Sequence, residues 1–307
     1  MDTDGSLAHS SFMEVQDSYY ALVENVCRDL YIESLKEIPP DVVAAIRKAA
    51  ATETLEVAKR IFSHYIKSIE LGRDENMMVC QDTGIPIYWV GIGGNLRLDG
   101  ARLTEAITRG TERATREHPL RSSIVSPLKR ENRQTSTGEG IPVIHYDFVR
   151  DSDVLDILFM PKGSGSENMS SLKMLVPADG VNGIKRFVLE QVTGAGAKPC
   201  PPTIVGIGIG GSSDLCMSLA KKATTRPLGS HHPDPEIAAL ETELCEAINQ
   251  TGIGPQGLGG NTTALAVHIE SAWTHITCNP VAVNMQCWRA ERRRAKVWAE
   301  GKVEWGF

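Results

Sequence analysis

Cys200-Pro201-Pro202-Thr203-Ile204-Val205-Gly206-Ile207-Gly208-Ile209-Gly210-Gly211 carries no charged residue, and its aliphatic core is entered through prolines and left through glycines. A run this short and this apolar reads as a β-strand over 203–209 that is buried on both faces. Its glycines raise a second reading. Gly206-x-Gly208-x-Gly210-Gly211 after a strand is close to a dinucleotide fingerprint, but the third glycine should come three residues after the second. No acidic residue stands at the expected position further on, where Arg226-Pro227-Leu228-Gly229 lies instead. A tight turn near a ligand fits the pattern better than a nucleotide site.

Outward from this strand the chain alternates. Ile85–Ile92, Ile141–Val149, Val154–Met160, Ala264–Ile269 and Val281–Met285 read as strands, the second and third split by the turn Arg150-Asp151-Ser152-Asp153. Helices are expected over Phe12–Leu35, Asp41–Leu71, Ala101–Arg116, Gly180–Val192 and Pro235–Asn249. Asp41–Leu71 has Pro39-Pro40 before it and Gly72 after it, with Val42, Ile46, Leu55, Ala58, Ile61, Phe62, Tyr65 and Ile69 recurring mostly at steps of three and four. No internal repeat, low-complexity tract or linker stands out. The expected fold is mixed α/β (α+β), a single domain over 1–307. Its helical N-terminal part covers 12–72, and helices flank a mixed sheet. Glycine-rich loops at 163–165, 206–211 and 252–260 suggest a site built largely of backbone.

Composition narrows the class. At 307 residues, 41% hydrophobic and 23% charged, the chain is that of an ordinary soluble globular protein. A net charge of −6 gives no global attraction to nucleic acid or an anionic membrane, although a local basic pocket can still take an anionic substrate. No apolar run approaches the roughly 20 residues of a membrane span. The start, Met1-Asp2-Thr3-Asp4-Gly5, is acidic with no apolar stretch after it, so no secretory or transit segment is expected and the cytoplasm is the expected compartment. Seven scattered cysteines, an odd number, argue against a disulfide framework.

Cys80, Cys200 and Cys287 fall at the edges of expected regular structure, where a side chain can point into a cleft, whereas Cys27, Cys216 and Cys245 fall on expected helices and suit a core; Cys278 is open to either role. Three cysteines so far apart form no zinc or ferredoxin spacing, and spacing alone favours ordinary thiols. One opening remains. A cluster held by three thiolates keeps one iron without a protein ligand, free to act as a Lewis acid. His268 and His275 lie on or beyond one expected strand. His275, at its end, is the better site candidate, while a core place suits either. Arg121, before two serines, can clamp a carboxylate bidentately or be a plain surface arginine. His231-His232 reads as surface or interface.

Read in order, Cys80-Gln81-Asp82-Thr83-Gly84, Leu120-Arg121-x-Ser123, Gly163-x-Gly165-Ser166-Glu167-Asn168, Cys200-Pro201-Pro202 with its glycine-ended strand, Gly254-Pro255-Gln256-Gly257-Leu258 and Asn284-Met285-Gln286-Cys287-Trp288 resemble the α subunit of the class I, oxygen-sensitive fumarase and L-tartrate dehydratase family. The resemblance runs from about Pro40 to Arg294. It implies a fumarase class I alpha-type domain and a [4Fe–4S] cluster on Cys80, Cys200 and Cys287, with Cys287 preferred over Cys278 for its Asn-x-x-Cys position. It implies substrate contacts from Gln81, Asp82, Arg121, His275 and the backbone at Gly163 and Gly165, with His275 and Asp82 catalytic. It also implies a base supplied by a second domain or subunit. Only about twenty residues follow Cys287, so a separate β subunit is expected, in an αβ heterodimer or heterotetramer. The implied activity is a hydro-lyase acting on malate/fumarate, with L(+)-tartrate to oxaloacetate as the alternative. A non-catalytic iron–sulfur redox or sensing protein is the rival of another class, and it would normally want a fourth protein ligand.

Overall fold

The computed structural model describes residues 13–307; Met1 to Gly5 and Phe12, the first residue of the expected N-terminal helix, lie outside them. The first half runs β1 (Met13–Glu14), α1 (Asp17–Ser34), α2 (Pro40–Thr52), α3 (Glu56–Asp74), β2 (Ile85–Gly93), β3 (Leu96–Arg97), α4 (Gly100–Glu117), β4 (Val143–Val149) and β5 (Val154–Lys162). After it come α5 (Ser164–Glu167), β6 (Ser171–Leu175), α6 (Gly180–Ala195), β7 (Thr203–Gly210), α7 (Ser213–Ala223) and α8 (Pro235–Asn249). The chain closes with β8 (Ala264–Ala272), β9 (Asn279–Gln286), β10 (Arg293–Trp298) and β11 (Val303–Gly306). The mixed α/β class expected from the sequence is what these residues form. None of the described helices is long and apolar enough to cross a membrane.

Two compact units share these elements. Of the described residues, the first holds those from Met13 to Ser34, Ile85–Pro161 and Arg293–Phe307. Its five-stranded sheet has the order β11-β10-β5-β2-β4, with β2 and β4 parallel and β10 antiparallel to both β11 and β5. α1 buries Val23, Cys27, Leu30 and Tyr31, and α4 buries Leu103, Ile107 and Ala114. Both stripes follow the three-to-four spacing of an inward helical face. Across them Glu24 pairs with Arg109 at 2.7 Å and Arg113 at 2.9 Å.

The second unit holds Leu35–Gly84 and Lys162–Arg292. Its sheet has the order β6-β9-β7-β8, with β7 central, parallel to β8 and antiparallel to β9. The anticipated buried strand is therefore the middle of the sheet. On one side Val205, Ile207, Val267, Ile269 and Val283 pack with Phe187 and Val188 of α6 and Leu244 and Ile248 of α8. A Cβ on Gly206 would stand 2.1 Å from the Ala220 carbonyl oxygen, and one on Gly208 2.0 Å from that of Cys216. These glycines thus let α7 lie directly on the strand. That is the helix-packing use of glycine in a strand, and no nucleotide is needed to explain it.

The expected single helix over Asp41–Leu71 is two helices. Thr52 ends α2, and Glu53, 4% exposed, turns its carboxylate onto the chain: Oε1 accepts the N–H groups of Thr54 and Leu55 at 2.8 and 2.9 Å, and Oε2 accepts that of Asn261 at 2.9 Å. A side chain that satisfies free N–H groups ahead of a helix start competes with helix continuation. Val42, Ile46, Phe62, Tyr65 and Ile69 of this pair pack with Ile204, Trp288 and Ala290.

Candidate functional site

Cys80 lies in the loop after α3, Cys200 just before β7 and Cys287 just after β9, all within the second unit. Burial pushes the Cys200 thiol up first, and the neighbouring Cys287 and Cys80 raise it further. Burial likewise raises Cys287, while Arg289 pulls it back. Cys200 is therefore within electrostatic reach of both Cys287 and Cys80, which come from loops in other parts of the sequence. Cys27 is buried in α1; Cys216, buried in α7, donates to the Gly208 carbonyl at 3.2 Å. Cys278 closes a turn, its N–H donating to the His275 carbonyl at 2.8 Å. All seven cysteines are free.

Named contacts tie the three loops together. Cys200 has a left-handed backbone (φ 54°), and its carbonyl accepts the Trp288 N–H at 3.1 Å. Trp288 stacks on Tyr65 with centroids 4.0 Å apart. The Tyr65 hydroxyl donates to the Pro201 carbonyl at 3.1 Å and accepts Gln256 Nε2 at 2.7 Å. Arg289, two residues past Cys287, donates Nη2 to the Asp82 carbonyl at 3.4 Å. Asp82 Oδ1 accepts the Gly84 N–H at 3.0 Å, and Oδ2 accepts the Ser164 N–H at 2.8 Å and its hydroxyl at 3.2 Å. The loop bearing Cys80 is thereby held to the glycine loop at 163–165.

β5 runs two residues further than the sequence suggests and ends at Lys162, which is fully buried. Its Nζ donates to Ser166 Oγ at 2.6 Å and to the Met285 carbonyl at 2.7 Å, and Glu167 stands 3.7 Å away. Burial pulls its pKa down to about 8, although Glu167 and Cys287 oppose the shift. Ser166 Oγ in turn donates to the Gly163 carbonyl at 3.1 Å. Lysine and serine together fix the glycine loop to the strand that leads to Cys287.

Gln81 is exposed beside Cys80. His275 lies three residues past β8 and is exposed; its Nδ1 accepts the Thr277 N–H at 3.2 Å and sits 2.9 Å from Thr277 Oγ1. An acceptor at Nδ1 puts the proton of the neutral ring on Nε2. His268 is instead a core histidine, buried in β8 with Nδ1 3.2 Å from the Ala223 carbonyl. Arg121 belongs to the first unit, in the exposed loop after α4.

Among the described residues, no three of His, Cys, Asp and Glu converge tightly enough to hold a single metal ion. A lone tetrahedral ion gathers its thiolates at about 2.3 Å, whereas a four-iron cube takes them at separate, wider corners. The thiol chemistry of Cys200 with Cys287 and Cys80 near it is the kind an iron–sulfur cluster takes.

Residues 24–297 match the family model of fumarate hydratase (Fumerase). The chain belongs to the fumarate hydratase (Fumerase) family. A Methanocaldococcus jannaschii protein provisionally named L(+)-tartrate dehydratase subunit alpha is 45% identical over 276 residues, covering 89% of this chain and 96% of that one. The L(+)-tartrate dehydratase subunit alpha of Escherichia coli K12 is 36% identical over 263 residues, 86% of each chain. That of Shigella sonnei matches to the same extent. This member of the fumarate hydratase family is thus a hydro-lyase of the alpha type, class I fumarate hydratase/tartrate dehydratase.

The sequence pointed to the cysteines but not to Arg289, Glu291 and Lys162. Nothing in residue type or spacing marks a charge as buried. The place of Arg289 two residues beyond Cys287 was the one available signal.

Proposed function

We propose that this alpha-type hydro-lyase reversibly dehydrates a 2-hydroxy dicarboxylate, malate to fumarate, with a [4Fe–4S] cluster held by Cys80, Cys200 and Cys287. The nearness of Cys200 to Cys287 and to Cys80, all within one unit, supports the reading. When bound, such a cluster presents one iron without a protein ligand, a Lewis acid for the substrate hydroxyl. The chain's own residues do the rest. Arg121 and His275 Nε2–H hold carboxylates by charge-assisted hydrogen bonds, Gln81 adds an amide donor, and the backbone at Gly163 and Gly165 completes the cradle. Asp82, fixed through Gly84 and Ser164, keeps a carboxylate beside the reacting carbons. We propose one catalytic domain spanning 1–307.

The proton on the carbon next to the hydroxyl must go to a base. We assign that base to a separate β subunit, in an αβ heterodimer or heterotetramer. The relatives' designation as subunit alpha supports such a partner. A cytoplasmic setting suits seven free thiols. L(+)-tartrate to oxaloacetate is the second reading, favoured by the names of the same relatives.

The test is a dehydration assay on malate and on L(+)-tartrate with the chain co-produced anaerobically with its neighbouring β-type subunit. Faster turnover of malate is expected. Faster turnover of tartrate would transfer the assignment to the second reading, and no turnover of either acid would remove both.

A further inference from the structure

Arg289 is 4% exposed, and its guanidinium pairs with Glu291, itself 1% exposed. A cation withdrawn from water costs several kcal/mol unless its surroundings compensate. Glu291 supplies one part of that compensation. Other groups around Arg289 are the sulfurs of Cys287 and Cys80, both of which favour its charged form, the thiol of Cys200, which Arg289 pulls down, and the Asp82 carbonyl at 3.4 Å. A guanidinium presents five donors in a rigid plane, enough to hold a carboxylate, a carbonyl and a sulfur together. Lys162, the other buried cation of this region, is taken up by Ser166, the Met285 carbonyl and Glu167. Arg289 is thus a buried cation directed at the thiols, beside Lys162, which also lies within electrostatic reach of Cys287.

We propose that Arg289, braced by Glu291, is a positioning residue of the three-cysteine site, whose fork offsets thiolate charge at Cys287 and Cys80 and locks the Cys80–Asp82 loop onto the turn after Cys287. This inference rests on the reading of those cysteines as cluster ligands. Its consequence goes beyond ligation. A positive charge beside the sulfurs stabilises the more reduced, more negative form of a cluster, so it raises the potential and strengthens retention.

The test compares the intact chain with Arg289→Met and Arg289→Lys after anaerobic reconstitution with iron and sulfide. It reads iron and sulfide per chain, midpoint potential by redox titration, and far-UV circular dichroism. Arg289→Met is expected to hold iron about 10- to 100-fold less tightly, the usual effect of removing a group that supports metal ligands. Whatever cluster it retains should have a more negative potential. Arg289→Lys, which keeps the charge but loses the fork, should fall between the two in retention and stay near the parent in potential. If Arg289→Met does not fold, the ordering of parent and Arg289→Lys in iron retention decides, and equal retention overturns the proposal. A folded Arg289→Met with parental iron content and potential also overturns it, while leaving the cysteine reading in place. A parent chain that binds no iron removes the cysteine reading, and this inference with it.

Discussion

His268 and His275 lie seven positions apart in sequence and in opposite environments. His268 is buried, and burial followed by the nearby Arg226 pulls its pKa from 6.5 to about 4. Between those values the unfolded chain holds a proton there and the folded chain does not. The unfolded state thus gains as pH falls, and this contribution, complete above about 6.5, is lost toward 4. Parent stability should drop by on the order of 2 kcal/mol from pH 7 to pH 5 through this group alone. In His268→Gln that part of the slope should vanish. Urea unfolding at the two pH values measures it, and equal slopes in both proteins would show that His268 is not the titrating group. The sequence left both histidines open to a core role. His275 could be preferred because it followed the expected strand end, but the burial of His268 depends on Ala223 and Arg226, which residue spacing does not bring near it.

At the scale of elements, the break between α2 and α3 shows where periodicity misleads. The inward positions of the presumed single helix step regularly from Val42 to Ile46 and from Leu55 to Ile69, but eight residues lie between Ile46 and Leu55, and Thr52-Glu53-Thr54 sits in that gap. The gap was visible; Asn261, the distant residue that Glu53 also binds, was not. Removing the carboxylate leaves three backbone N–H groups without their acceptor, each costing on the order of 1 kcal/mol or more. Glu53→Ala should therefore lower stability by about 3 kcal/mol, read from the urea midpoint at unchanged slope. A shift within about 0.5 kcal/mol, the range of an ordinary surface change, would mean that other groups or water satisfy those donors. The central strand β7 and helix α8 were legible because their signals are local: a charge-free run ended by glycines, and a proline start with an acidic first turn. β10 was not. In Arg293–Trp298 only Ala295 and Val297 are fully buried, and its other four residues are charged or bulky, which leaves no clear alternating pattern.

For the whole molecule, the net charge of −6 and a dianionic substrate would repel unless positive groups are placed locally. The chain puts Arg289 and Lys162 inside, where they hold the Asp82 carbonyl and the Ser166 hydroxyl with the Met285 carbonyl, and leaves Arg121 exposed. What could be read from sequence at this scale was the family, through ordered motifs rather than through any single spacing. The cation that accompanies the Cys287 and Cys80 thiols could not, since it depends on burial. The most direct measurement of the central claim is the iron and sulfide content of the anaerobically purified chain beside its Cys200→Ser variant, with circular dichroism as the control for folding. The account expects about four irons and four sulfides per parent chain, and a folded variant that loses most of both. Equal iron in parent and variant, or none in the parent, would contradict it.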